Sequence, residues 1–294
     1  MKDDCQKKIL IFGVGLSGRA AYRKLKQSKA NKIIGFLDNN YVENNRNFFN
    51  EIVYSPTQIA LIDFDLIVIS GRDIVEIQSQ LLEELKVPSH KILLLSRSDL
   101  SPSEDFKQKK EQSILAILKD LIDFLDDNNI QYWMDLSALL ALHRKVALSD
   151  FSDVDIAITS IADADKIFEL MSKNNDNYKV EKSYIEEKLN YANIGDIKQI
   201  CIQSVVKLKY EEPAIIDIHV KFLHENKYKF SVDKISLYTP VNFLSSYENI
   251  EYKSLSLKIP LNSKKYLELI YGKLWKKPAE NWKAGDYGNI VNEK

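Results

Sequence analysis

The sequence predicts an α/β chain in two parts: a parallel sheet flanked by helices, then an α+β domain. Three observations predict it. Through the first hundred residues short apolar runs alternate with helical stretches, the pattern of parallel strands joined by crossover helices. Beyond about residue 113 the order changes to a long amphipathic helix, a strand carrying paired acids and a hairpin of clean alternation. The length of 294 residues suits two domains of ordinary size.

In the first part, residues 8–12 (KILIF) form an apolar run followed by GVGLSG and a helical stretch from about Arg19 to Gln27. KIIGFLDNN supplies a second strand ending at Asp38, and FDLIVISG (64–71) and KILLLS (91–96) read as further buried strands. Between them Ile74, Ile77, Leu81, Leu82 and Leu85 fall at helical spacing. This gives a first domain over 1–100. Residues 101–112, polar and carrying a proline, read as a linker running into a helix start, and 113–294 as the second domain.

The second domain opens with an apolar stripe at Ile114, Ile117, Leu118, Leu121, Ile122 and Leu125, ended by DDNN. IQYWMD reads as a strand, LSALLALHR as a helix, DVDIAI as a strand and DADKIFELMSKN as a helix. KQICIQSVVKLKY, a turn at EEPA and IIDIHVKF then make a hairpin. In its second arm Ile216, Ile218, Val220 and Phe222 alternate with Ile215, Asp217, His219 and Lys221, so one face is expected in the core and the other on a cleft or in water. LKIPLNSKKYLELIYGKLWKKP closes as a strand end and a helix.

Chemistry concentrates on the acids. In a strand Asp153 and Asp155 share one face while Val154, Ile156 and Ile158 share the other. Two like charges roughly 6 Å apart cost about 3 kcal/mol at an effective dielectric of 20, a penalty that a divalent cation would reverse. Asp217, mid-strand on a polar face, would supply a third acid, and such sites hold phosphate oxygens during in-line displacement at phosphorus. His219 shares the face of Asp217; it could line the site or be a hydrogen-bonded strand histidine.

The stretch LIDFLDDNNIQYWMDLSALLALHRKVALSDFSDVDIAI resembles the opening of the LicD family, with Asp135, Leu139, Leu140, Arg144, Asp153 and Asp155 matching its motif. KIPLNSKKYLELIYGKLWKKP resembles the family's closing segment through Pro260, Tyr266, Leu267, Tyr271, Gly272, Trp275 and Pro278. The resemblance covers roughly residues 112–280 and implies a nucleotidyltransferase-like fold. It also implies transfer of a phosphorylated alcohol, of the phosphocholine or ribitol phosphate type, from a CDP-linked donor to a glycan or lipid-linked glycan. Carried over, Asp153, Asp155 and Asp217 would be catalytic and hold Mg2+ or Mn2+, and Asp135, Ser137, Arg144 and His219 would bind substrate. Arg144 has a second reading as a helix C-terminal cation. The family's Gly-Gly-Thr step is Leu136-Ser137-Ala138 here, which makes close backbone approach to a phosphate harder.

Gly13, Gly15 and Gly18 stand between a strand and a helix, with Asp38 ending the next strand, the context of a dinucleotide fingerprint. The segment resembles the Rossmann-like N-terminal domain of PglD-like sugar acyltransferases, which implies a nucleotide or nucleotide-sugar ligand held by Gly13, Gly15, Gly18 and Asp38. The other reading is that the glycines only permit tight strand–helix packing. Activity residing in this domain with NAD(P), or a non-catalytic scaffold, are the alternatives to transfer.

With 41 Lys+Arg against 42 Asp+Glu the chain has no bulk charge for nucleic acid. Cys5 and Cys201, far apart in the chain, suggest neither a disulfide framework nor a zinc site. No apolar run reaches the roughly 18 residues of a membrane span. The expectation is a cytoplasmic protein, able to touch the inner face of a membrane.

Overall fold

In a computed structural model the described residues are 6–41, 47–70, 74–100, 104–173, 177–205, 213–232, 235–279, 282 and 284–291. Cys5 and the start of the EEPA turn lie outside them. The chain divides into two compact units, Met1–Ser103 and Glu104–Lys294.

The first unit holds strands β1 (Lys7–Phe12), β2 (Asn31–Leu37), β3 (Asn47–Phe48), β4 (Glu51–Tyr54), β5 (Leu66–Ser70) and β6 (Ile92–Leu95). Its helices are α1 (Leu16–Lys26), α2 (Ile74–Ser79, prolonged by a π turn over Gln80–Glu84) and α3 (Arg97–Leu100). The sheet order is β3-β4-β2-β1-β5-β6, with β4, β2, β1, β5 and β6 parallel and β3 antiparallel to β4. This is the expected Rossmann-like sheet. Leu10, Phe12, Leu37, Ile67, Ile69 and Leu81 form a core cluster in it. One expectation fails: β6 is an edge strand, and Leu93 and Leu94 are 38% and 42% exposed.

The second unit is α+β. Its elements are α4 (Glu104–Asp127), β7 (Trp133–Met134), α5 (Leu136–Arg144), β8 (Val154–Ile158), α6 (Ile161–Lys173), β9 (Tyr178–Tyr184), β10 (Ile197–Ser204) and β11 (Ile215–Val220). There follow β12 (Phe222–His224), β13 (Lys227–Val232), β14 (Ile235–Pro240), β15 (Tyr247–Tyr252), β16 (Leu255–Pro260) and α7 (Ser263–Tyr271). The main sheet runs β7-β8-β11-β10-β9, with only β8 and β11 parallel. β12–β14 make a meander and β15–β16 a hairpin, neither anticipated from the sequence. Leu118, Leu121, Ile156, Ile200, Ile218 and Tyr266 all belong to one continuous core.

The stretch read as a linker is a correction. From Glu104 onward it is the first turns of α4, with Phe106, Lys110 and Glu111 buried. Its polar groups face inward onto partners. Lys110 Nζ donates to the carbonyls of Phe151 and Ser152 at 2.5 and 3.2 Å. The Glu111 carboxylate accepts from the Ser149 N–H at 2.8 Å, the Lys253 ammonium at 2.9 Å and the Tyr252 hydroxyl. Burial of these charges is tolerable because each is hydrogen-bonded.

Candidate active site

The parallel pairing of β8 with β11 sets Asp155 opposite Asp217 and Val154 opposite Ile216. Paired positions share a face, so the two acids stand side by side while Ile156 and Ile218 enter the core. Asp153, two residues before Asp155, follows on the same face. Of the three expected carboxylates, the register thus sets two, Asp155 and Asp217, side by side, and Asp153 stands at the head of the same strand. On the other flank of β11, Cys201 of β10 pairs with Asp217 and adds its thiol to this face.

The entrance of α5 closes over Asp155. The backbone N–H of Ser137 donates to Asp155 Oδ2 at 3.0 Å, and Ser137 Oγ bonds the same oxygen and the Asp153 carbonyl. The other oxygen of Asp155 meets His219 Nε2 at 3.1 Å. Leu136 takes φ +37 while 1% exposed. That left-handed conformation is unfavourable for leucine, and its buried side chain holds it there.

Electrostatics follow from burial and crowding. Burial, then the charge of Asp155, pushes the Asp153 carboxyl up to about 6, against a hydrogen bond from Ser152. Burial also raises Asp217, with Asp155 adding to it and His219 and Cys201 opposing. Burial lowers His219, but the hydrogen bond and charge of Asp155 with the charge of Asp217 outweigh it, leaving the imidazole above its ordinary value. The Cys201 thiol is pushed up to about 12, first by burial and then by Asp217.

A divalent cation is the ligand such a cluster of acids could take. The donor set suits one: three crowded carboxyls, two with raised pKa, and an Asp217 Oδ1 buried without a hydrogen-bond partner. As the side chains lie, Asp155 is engaged by Ser137 and His219, and among the described residues no three acidic, histidine or cysteine groups converge as ligands of one ion.

Two of the expected substrate residues have side chains committed to other partners, although the Asp135 N–H donates to the Asp155 carbonyl at 2.9 Å. Asp135 is fully buried: Lys221 Nζ is 2.5 Å from its Oδ2, and Tyr266 donates to its Oδ1 at 2.9 Å. Lys221 also reaches Thr239 and Tyr266 at 2.9 Å and lies 4.0 Å from the centre of the Phe230 ring. The polar face of the hairpin arm is thus covered, contrary to expectation, with Lys221 and His219 0% and 3% exposed. Arg144 sits seven residues after Ser137, about 10 Å along the helix at 1.5 Å per residue. Its guanidinium donates through Nε and Nη2 to the carbonyls of Trp275 and Lys277, which makes it a backbone clamp. Sequence reasoning named Tyr271 only as part of the closing segment and did not single out Tyr287; both hydroxyls are raised first by burial and also by the nearby charge of Asp155. Their rings lie 5.0 and 5.3 Å from that of Trp282 and 5.8 Å from each other; nothing in their spacing signals this.

In the first unit, Gly18 is a packing requirement: a Cβ there would stand 1.9 Å from the Gly13 carbonyl oxygen. Gly13 takes φ +94, and a Cβ on Gly15, ahead of α1, would meet nothing within 4 Å. Asp38 receives the N–H groups of Val14 and Asn40 at 3.0 and 2.8 Å. Its carboxylate therefore braces the loop first, with lone pairs left over for a ligand.

A family profile described as C2185-like, N-terminal, matches residues 5–93. No curated protein matches the chain. Among solved structures, the lincosamide antibiotic adenylyltransferase LnuA with lincomycin bound is 15% identical over 60% of this chain and 90% of its own, with a TM-score of 0.33. ANT(2")-Ia in complex with adenylyl-2"-tobramycin is 11% identical over 59% and 83%, with a TM-score of 0.33. UDP-D-quinovosamine 4-dehydrogenase from Vibrio fischeri is 20% identical over 34% and 81%, with a TM-score of 0.26. These likenesses, to nucleotidyltransferases and to a dehydrogenase, are weak.

Proposed function

We propose that the second unit transfers a phosphorylated alcohol, of the phosphocholine or polyol-phosphate type, from a CDP-linked donor to a glycan or lipid-linked glycan, as its resemblance to the LicD family implies. The observation that carries this reading is the register of Asp155 with Asp217 on adjacent parallel strands, with Asp153 immediately ahead of the first. Asp153 and Asp217, both half-buried and both raised in pKa, are the groups most in need of a cation. Bound there, Mg2+ or Mn2+ would offset the three carboxylates and the donor's phosphate charge. Ser137 and His219 fix the plane of the Asp155 carboxylate. Asp135 and Arg144 support the fold around the site and do not touch substrate.

Release of CMP from CDP-choline and CDP-ribitol, with and without Mg2+ or Mn2+, tests the proposal. The expected result is metal-dependent release from one of them, reduced at least about 100-fold in Asp153→Asn and in Asp217→Asn, as for other groups that stabilise transition-state charge. Release that persists in both variants, or that ignores the metal, overturns it. A nucleotide or nucleotide-sugar ligand in the first unit is favoured by the open space over Gly15. Calorimetry with UDP-sugars and NAD(P) checks that reading, and no heat at millimolar ligand removes it.

A further inference from the structure

Helix α7 and the turn that follows it carry five lysines, Lys264, Lys265, Lys273, Lys276 and Lys277, against one acid, Glu268, in residues 263–279. All five are exposed. Among the described residues none of them joins an ion pair, although many lysines elsewhere in the chain do. At the tip of the turn Leu274 is 78% exposed, an apolar side chain pushed into solvent between cations.

This turn is rigid. Gly272 ends α7 with φ +76, and the N–H groups of Trp275 and Lys277 bond the carbonyls of Gly272 and Leu274 at 3.2 and 2.9 Å. Trp275 is buried and anchors it from below, and its ring lies 5.9 Å from the ring of His143. Arg144 grips the Trp275 and Lys277 carbonyls. His143 also bonds Ser263 at the start of α7, where Lys264 and Lys265 line a cleft with His143 and Glu248.

We propose that the turn Gly272–Lys277 is a membrane-docking element that seats on an anionic lipid surface, with Leu274 entering the headgroup layer and Lys273, Lys276 and Lys277 meeting lipid phosphates. The chemistry is that of interfacial segments: a single apolar wedge, flexible ammonium groups that reach phosphate, and no exposed aromatic ring in the turn to stack on a nucleic-acid base. The chain as a whole is near neutral, so the attraction is local. The inference does not depend on the transferase reading, because it is read out by binding alone.

Flotation of the full chain tests it, with vesicles of phosphatidylcholine alone or with about one third phosphatidylglycerol, at low and physiological salt. The expected result is binding to the anionic vesicles only. Replacing Lys273, Lys276 and Lys277 together by Gln weakens it about 100-fold, at about fivefold per lysine near such a surface. Leu274→Ser, which leaves charge unchanged, weakens it several-fold. A control removing three exposed lysines of the first unit, Lys7, Lys29 and Lys32, retains it. Thermal melts confirm that each variant is folded. Equal binding to neutral vesicles, an equal loss in the control, or unaltered binding in Leu274→Ser overturns the proposal, the last in favour of a soluble polyanion.

Discussion

Replacing Lys221 by Met tests how the second unit is held together. The ammonium is 0% exposed and stands 2.5 Å from an equally buried Asp135 carboxylate, with Thr239 and Tyr266 completing its shell. At an effective dielectric of about 20, attraction at that distance is about 7 kcal/mol, and desolvation removes much of it. The net worth of the pair against an apolar replacement is therefore small, but removing one partner leaves a bare buried charge. Lys221→Met should destabilise the unit by about 3–5 kcal/mol. Asp135→Asn should cost less, about 2 kcal/mol, because burial already lowers the lysine's pKa and the amine can shed its proton. The double variant should be less damaging than the sum by about 1–3 kcal/mol. Trp133, Trp275 and Trp282, the three tryptophans of the chain, all lie in the second unit, so fluorescence-detected urea unfolding reports on that unit alone. A loss under about 1 kcal/mol for Lys221→Met, or strict additivity in the double variant, would refute the reasoning.

Three further outcomes are expected. Gly18→Ala should unfold or severely destabilise the first unit, since its methyl would collide with the Gly13 carbonyl, whereas Gly15→Ala should change stability by less than about 1 kcal/mol; hydrogen exchange on β1 and β5 distinguishes them. Arg144→Ala should cost about 1.5–3 kcal/mol through its lost charge-assisted bonds to carbonyls, with unchanged affinity for nucleotide in calorimetry; a loss of nucleotide affinity would restore its role as a phosphate ligand. For Glu111, burial raises the carboxyl but the hydrogen bonds from Tyr252, Lys253 and Ser149 outweigh it, so the folded pKa lies below 4.5. A depressed acid stabilises above its unfolded value and loses that contribution as pH falls through the folded one. Glu111→Gln should therefore weaken the unit by about 2 kcal/mol at neutral pH, and denaturation curves should show the gap closing below about pH 4.

The sequence disclosed the strands and most helices because their periodicity is local. The D-x-D spacing was legible for the same reason: a period of two fixes which side chains share a face, and Asp217 fell on the polar face of its strand. What covers that face was not legible. Lys221 reads as a solvent residue until Phe230, Thr239 and Tyr266, remote in the chain, close around it. Arg144 likewise gives no sign that its partners are carbonyls at positions 275 and 277. The start of α4 was mistaken for a linker because Lys110 and Glu111 occupy inward positions usually taken by apolar residues. The meander and the second hairpin were missed because their alternation is broken by charged and polar positions, including Lys229, which is buried all the same.

The central place of β11 bears on how the protein is made. β8 and β10 both leave the ribosome before it, and each must wait for the strand that will lie between them. Until residue 220 has emerged, two apolar strands, one already carrying Asp153 and Asp155 at its head, present unpaired edges to whatever else is near. A half-synthesised chain is thus the form most exposed to proteolysis and misassembly, and the acids can face one another only once the middle of the sheet is filled.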